Sequence, residues 1–176
     1  MFIGEKVKLR EYRKEDIKQA QEYVNDPEIK SFLAPGIPFL YTYEDELKWF
    51  ESNTATKDTY NFAIETLAES KYIGGCGINS IDWKNSVAVV GIFIGDKNYW
   101  SKGYGTDAMK VLVSFIFDEM NINKVKLHVY SFNPRAIKSY EKCGFVKEGV
   151  LRQEIFRKGQ YHDELVMGLL REEFNR

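Results

Sequence analysis

The stretch that most constrains this chain runs from Val87 to Phe115, VAVVGIFIGDKNYWSKGYGTDAMKVLVSF. Val87 to Ile94 is an unbroken apolar run rich in β-branched residues, as a strand covered on both faces requires. Ala108, Val111, Leu112, Phe115 and Ile116 recur at helical spacing and form the apolar stripe of an amphipathic helix. Between them lies Ser101-Lys102-Gly103-Tyr104-Gly105-Thr106. Its glycines let successive backbone N–H groups point one way at the start of the helix. Unpaired donors and the helix dipole there both favour an anion such as pyrophosphate. Lys102 adds a mobile positive charge. The stretch reads as strand, anion-binding turn, helix; a tight turn that binds nothing is the plainer alternative.

The flanks supply the rest of a sheet. Lys6 to Tyr12 alternates as a first strand, and Arg13-Lys14-Glu15-Asp16 opens a helix bearing Ile17, Ala20, Tyr23 and Val24. Pro27 stops that helix near Asn25-Asp26. Glu28 to Tyr43 reads as an aromatic, proline-containing loop, too apolar to lie free in water. Thr42 caps a second helix whose first turn carries Glu44, Asp45 and Glu46. Tyr60 to Thr66, Lys71 to Asp82 and the central run predict an antiparallel meander, with Gly74, Gly75 and Gly77 marking a bend or a close backbone approach. Lys124 to Tyr130 is reached through a helical crossover, so it runs parallel to the central strand and the sheet is mixed. Asn133-Pro134 has the N-cap and N1 residues of a further helix, which Gly144 ends. Phe145 to Phe156 and Tyr161 to Leu170 form a final hairpin about Arg157-Lys158-Gly159-Gln160. The expectation is one mixed α/β domain (an α+β sheet) over residues 1–176, with about seven strands and four helices.

Composition excludes several classes. The 176 residues suit one domain, and a net charge of −1 with scattered Lys and Arg offers no field to recruit nucleic acid or a membrane surface. The longest uncharged stretch, Ser31 to Tyr43, holds two prolines and cannot cross a bilayer as a helix. The first residues carry charges from Glu5 onward and form no signal peptide. Cys76 and Cys143 stand alone, without metal or disulfide spacing, as reduced thiols of a cytoplasmic protein do. Nothing here bears on oligomeric state.

Spacing sorts the ways a glycine turn holds phosphate. A Walker A loop places its lysine after the glycines; here Lys102 precedes them. Gly103, Gly105 and Ala108 satisfy G-x-G-x-x-A. That dinucleotide fingerprint belongs in an early βαβ unit with an acidic residue ending the next strand, whereas the next strand here ends in Val129-Tyr130. The acetyl-CoA loop of the GNAT superfamily of N-acetyltransferases, [QR]-x-x-G-x-[GA] after a long strand, resembles this one except at its first position, where Trp100 stands. Tyr-Trp, a small residue and Lys-Gly-Tyr-Gly are similar to the branch typified by ribosomal-protein alanine acetyltransferases. Asn133 through Phe145 also resembles that superfamily's late motif, N-x-x-[AS]-x-x-x-Y-x-x-x-G-F. The order of elements matches over nearly the whole chain. The segment from Gly149 to Asp163 is similar to the same branch and to its polyamine-acetylating relatives.

The resemblance implies an acetyl-CoA-dependent acyltransferase without a metal. The central strand and the one from Lys124 would splay, with the pantetheine arm between them. Backbone groups of Phe93, Ile94 and Gly95 would bond that arm, N–H groups of Ser101, Lys102, Gly103, Tyr104, Gly105 and Thr106 would take the pyrophosphate, and Asn133 would touch the pantetheine. Tyr140 would sit near the sulfur. A phenol suits the protonation of a departing thiolate, so Tyr140 is the expected general acid. As plainer readings, Tyr140 is a core aromatic and Asn133 an N-cap. Glu65, His128, Glu154, His162 and Asp163 are candidate bases; water-mediated proton removal would leave no single one. The acceptor amine would enter opposite the CoA, bordered by Glu28 to Tyr43, with Phe32, Phe39 and Tyr41, and by Arg157 to Asp163. The branch favours a protein or peptide N-terminus. The alternatives are a polyamine, amino acid, amino sugar or aminoglycoside, and a CoA-binding regulator without catalysis. A polyamine would need converging carboxylates, for which Glu44, Asp45, Glu46, Glu154, Asp163 and Glu164 are available.

Overall fold

The computed structural model of the protein describes residues 1–53 and 60–174. Among these residues seven strands form one sheet: β1 (Val7–Arg10), β2 (Tyr60–Thr66), β3 (Tyr72–Asp82), β4 (Val87–Ile94), β5 (Lys124–Tyr130), β6 (Val146–Arg157) and β7 (Gln160–Leu170). Their order across the sheet is β1-β2-β3-β4-β5-β7-β6. Every neighbouring pair is antiparallel except β4 and β5. Among the described residues the α-helices are α1 (Asp16–Asn25), α2 (Pro27–Phe32), α3 (Tyr43–Ser52), α4 (Tyr104–Glu119) and α5 (Pro134–Lys142). The predicted mixed sheet and crossover are present, and β2, β4 and β5 begin and end where their apolar patterns do.

The fifth helix, α2, is the departure. Pro27 ends α1, but it is also the first residue of α2, where its missing N–H costs nothing. The Asp26 carboxylate caps it by accepting from Glu28 and Ile29 N–H. The residue that stops one helix starts the next, so the loop expected from Glu28 begins after Phe32 instead. At α3, Thr42 and Asp45 form a reciprocal capping box.

Strand alternation divides the core into two. Ala88 and Val90 of β4, Val125, Leu127 and Val129 of β5, and Met167 and Leu169 of β7 bury one sheet face against Met109, Leu112, Val113 and Ile116 of α4 and Tyr140 of α5. The other face holds a smaller cluster in which Ala63 and Tyr72 meet Ala20, Tyr23 and Ile29 of the first two helices. An ionic network anchors those helices. Arg10 of β1 forks onto both oxygens of Asp16, the first residue of α1, and bonds Glu65 of β2, which also pairs with Lys8 at 2.8 Å. Burial opposes ionisation of Glu65, but its bonds to Lys8 and Arg10 outweigh it and hold the carboxyl below its usual range.

Candidate active site

β4 and β5 pair only over Val87–Val89 and Lys124–Lys126. Beyond these three residue pairs the strands part, and a cavity of about 1120 Å³ opens between them. One rim comes from the turn entering α4. Gly103 is its N-cap at φ 86°, and Ser101 also takes the left-handed conformation at φ 58°. Alternation of such residues turns N–H groups toward one concave side. Thr106 Oγ1 lies 2.8 Å from Ser139 Oγ and so joins the start of α4 to α5. The opposite rim is α5, whose N-cap Asn133 accepts from Ala136 N–H and also lines the cavity.

Trp100 explains the odd first position of the turn. Its indole N–H donates to Ile94 O at 2.7 Å, and the Arg135 guanidinium lies 3.3 Å from its ring centroid. The side chain thus ties the turn back to the end of β4 and across to α5. The sequence carried no signal for this beyond the departure itself. Asp107 was also missed: its carboxylate accepts from the N–H groups of Glu5, Lys6 and Val7, so the chain start is moored to the first turn of α4.

Of the residues expected along the donor, Phe93, Ile94, Ser101, Gly103, Gly105, Thr106 and Asn133 line the cavity together with Tyr140. Gly95, Lys102 and Tyr104 do not. The Gly95 N–H is already given to Ile73 O at 2.7 Å, and the residue faces Tyr23. Lys102 points to solvent, and the Tyr104 ring packs edge-on against Tyr99. Tyr140 is buried on the α4–α5 face, edge-on to Phe145. Burial raises its hydroxyl well above the ordinary phenol range, with a lesser contribution from Cys143, so it stays protonated at neutral pH.

The far side of the cavity is aromatic. Tyr12, Phe32, Leu33, Trp49 and Tyr130 line it. Gly75 is what admits Tyr12: a Cβ there would collide with the Tyr12 hydroxyl. The segment after α2 is held down, because Tyr130 Oη donates to Leu33 O at 2.7 Å and the buried Arg157 guanidinium donates to Ala34 O and Pro35 O. Phe39 and Tyr41 pack on each other and do not line the cavity. Of the six carboxylates considered for a polyamine, Glu164 alone is on the lining. Asp45 is the α3 cap, and Asp163 accepts from Gln153 N–H. Of the candidate bases, His128 alone lines the cavity; Glu65 is committed to the Arg10 network.

The cysteines do not offer a covalent route. Burial pushes Cys143 up to about 12 and Cys76 further, and the Cys143 thiol donates to Thr106 O.

Residues 6–146 match the acetyltransferase (GNAT) domain family. The chain belongs to that family. This GNAT protein is 31% identical over 173 residues to an uncharacterised prophage-derived N-acetyltransferase of Bacillus subtilis, covering 98% of this chain and 94% of that one. It is 30% identical over 134 residues to the spermidine N(1)-acetyltransferase of Vibrio cholerae, covering 71% and 77% respectively. The crystal structure of a Vibrio cholerae spermidine N-acetyltransferase with CoA and spermine superposes with a TM-score of 0.85 at 25% identity, over 95% of this chain and 96% of that one. The GNAT chain is therefore an N-acetyltransferase that draws its acetyl group from acetyl-CoA and gives it to an amine. The residues present fit that donor: an N–H-rich turn for phosphates, a parted strand pair for a narrow arm, and a buried phenol beside it. Among the described residues, no helix is long and apolar enough to cross a membrane.

Proposed function

We propose that this enzyme acetylates the primary amine of a small, largely apolar molecule by direct attack on the acetyl-CoA thioester, with Tyr140 returning a proton to the leaving thiolate. The carrying observation is the cavity that joins the glycine turn and Tyr140 on one sheet face to an aromatic chamber with one carboxylate on the other. Holding both reactants at the gap between β4 and β5 removes the entropy cost of bringing them together, and a buried phenol gives up its proton only to a strong base such as a nascent thiolate. Seven of the donor-side residues expected from the sequence border this gap. The N–H groups of Ser101, Gly103, Gly105 and Thr106 are the natural receivers of the pyrophosphate, and the Asn133 side chain serves both as cap and as a wall of the channel.

Small amines are favoured by the spermidine-acetylating relatives and by the bonds that hold Leu33 to Pro35 against the sheet, where a peptide N-terminus would need room for its chain. The single carboxylate among the described lining residues favours a monoamine over a polyamine, whose remaining charges would meet aromatic rings. One domain suffices for the whole reaction, and two buried thiols suit the cytoplasm. The test is a turnover panel of arylalkylamines, alkylamines, spermidine, amino acids, an amino sugar, an aminoglycoside and N-terminal peptides. Arylalkylamines and alkylamines should lead in kcat/KM. Turnover of peptides alone overturns the small-amine reading; tight CoA binding with no turnover of any amine makes the protein a regulator.

A further inference from the structure

The chemistry needs a base on the side from which the amine arrives. An alkylamine is an ammonium ion at neutral pH and cannot attack until it has lost a proton. Strand alternation shows which residues face that side. Leu127 and Val129 of β5 and Met167 of β7 are buried with α4 and α5, so Lys126, His128 and Tyr130, and across the ladder His162 and Glu164, lie on the other sheet face, where His128, Tyr130 and Glu164 line the aromatic chamber. Tyr140 lies on the opposite face. On β4 the chamber-facing residues are Val87, Val89, Gly91 and Phe93, and on β3 the lining offers Gly75, Gly77 and Asn79, none of which is a base. Among the described residues lining the cavity, the imidazole and carboxylate side chains reduce to His128 and Glu164.

These two are joined. His128 Nδ1 lies 3.3 Å from Glu164 Oε2, with the Glu164 side chain 13% and the His128 side chain 39% exposed. The contact follows from register: His128 pairs with Val166, so Glu164 is its diagonal neighbour on the same face. A carboxylate beside Nδ1 favours the tautomer with its proton there, which leaves Nε2 as the acceptor, and it stabilises the imidazolium that forms. We propose that His128 is the base that takes the amine's proton and that Glu164 is the residue that positions its imidazole. This assignment rests on the amine-acetylation reading and adds to it a proton path through the sheet. The ammonium gives one proton to His128 Nε2. The freed lone pair attacks the thioester carbon; the N–C bond forms, the C–S bond breaks, and the thiolate takes the Tyr140 proton. The second nitrogen proton returns to Tyr140 through water, and the imidazolium releases its own to solvent. One proton is released per acetyl transferred.

The groups that share this face with His128 are Lys126 and Tyr130 on β5 and His162 and Glu164 on β7; β3 and β4 contribute no charged group to the lining beside it. Of these, His162 packs on Phe132 and Lys126 acts on Asp82, so Glu164 is the charge that lies against the imidazole. The decisive measurement uses the unmodified enzyme: the pH profile of kcat/KM for two accepted amines whose own pKa values differ by about 2 units. An acidic limb at the same pH for both is the expected result, because the limb belongs to the enzyme. A limb that follows the amine overturns the proposal, since the amine then arrives already neutral. His128→Gln should lose about 100-fold in kcat/KM at pH 7 and progressively less toward the amine's own pKa, with CoA affinity unchanged by calorimetry. Glu164→Gln should move the acidic limb to lower pH, and Glu164→Asp should restore it in part. Equal loss at every pH in His128→Gln, or an unmoved limb in Glu164→Gln, refutes the respective role. If no amine is acetylated at all, the proposal and the function it rests on fall together; if amines are acetylated but the limb tracks them, only the base falls.

Discussion

The α4–α5 face of the sheet and the α1–α3 face meet at one cavity but are built differently. The first is a continuous apolar core with a glycine turn and a capped helix at its edge; nearly every site residue there belongs to one of two short motifs, at Trp100–Thr106 and Asn133–Phe145. The second is a small cluster from α1, α2, β2 and β3, pinned by ion pairs and by bonds from side chains to loop carbonyls, and the residues that line the cavity beside it come from α2, α3, β5 and β7. A donor common to a whole family can be met by a local motif. An acceptor particular to one enzyme is met by residues assembled from afar.

The difference can be broken from either side. The largest effect is expected on the donor face at the reacting atoms: Tyr140→Phe should lower kcat by about 10²- to 10⁴-fold while CoA affinity, measured by calorimetry, stays put. Glu65→Gln attacks the anchor of the acceptor face and should cost about 3 kcal/mol, since Arg10 and Lys8 lose a buried partner. The Glu65 carboxyl is depressed in the folded protein, so its contribution is complete above the unfolded value of about 4.3 and is lost as pH falls through the folded one. Thermal melts of wild type and variant should therefore differ at pH 7 and draw together as pH falls below about 4.3 toward the folded value. Gly103→Val places a β-branched residue at φ 86° and should weaken CoA binding about 10-fold, leaving the acceptor KM alone. The smallest effect is Trp49→Ala, which removes a half-exposed wall that meets Tyr12 edge-on; acceptor KM should rise a few-fold with CoA affinity intact.

The same contrast governs what could be read in advance. The period-2 and period-3.6 patterns, with Thr42, Asn133 and Gly144 as punctuation, outline the strands and the four longer helices because these signals are local. Pro27 hid α2 because one residue both ends and starts a helix. Gly95 looked available because sequence alone does not reveal that its N–H is spent on Ile73. In the sequence His128 is one candidate base among five, and Glu164 is one of six carboxylates available to a polyamine. Their partnership depends on the register of β5 against β7, strands separated by the whole of α5 and β6. Register between distant strands is set by packing, and no short motif states it.

The brief seam between β4 and β5 has a mechanical meaning. It makes the sheet two panels, β1 to β4 and β5 to β6, riveted at one end by three residue pairs and free at the other. A ligand lodged in the free end would supply rungs that the protein omits, so occupancy and stiffness become one variable. At a concentration 100 times its dissociation constant, such a ligand adds about 2.7 kcal/mol to the folded state. Across that open end only side chains reach, Trp100 to Arg135 and Thr106 to Ser139, so the loaded enzyme should be the stiffer.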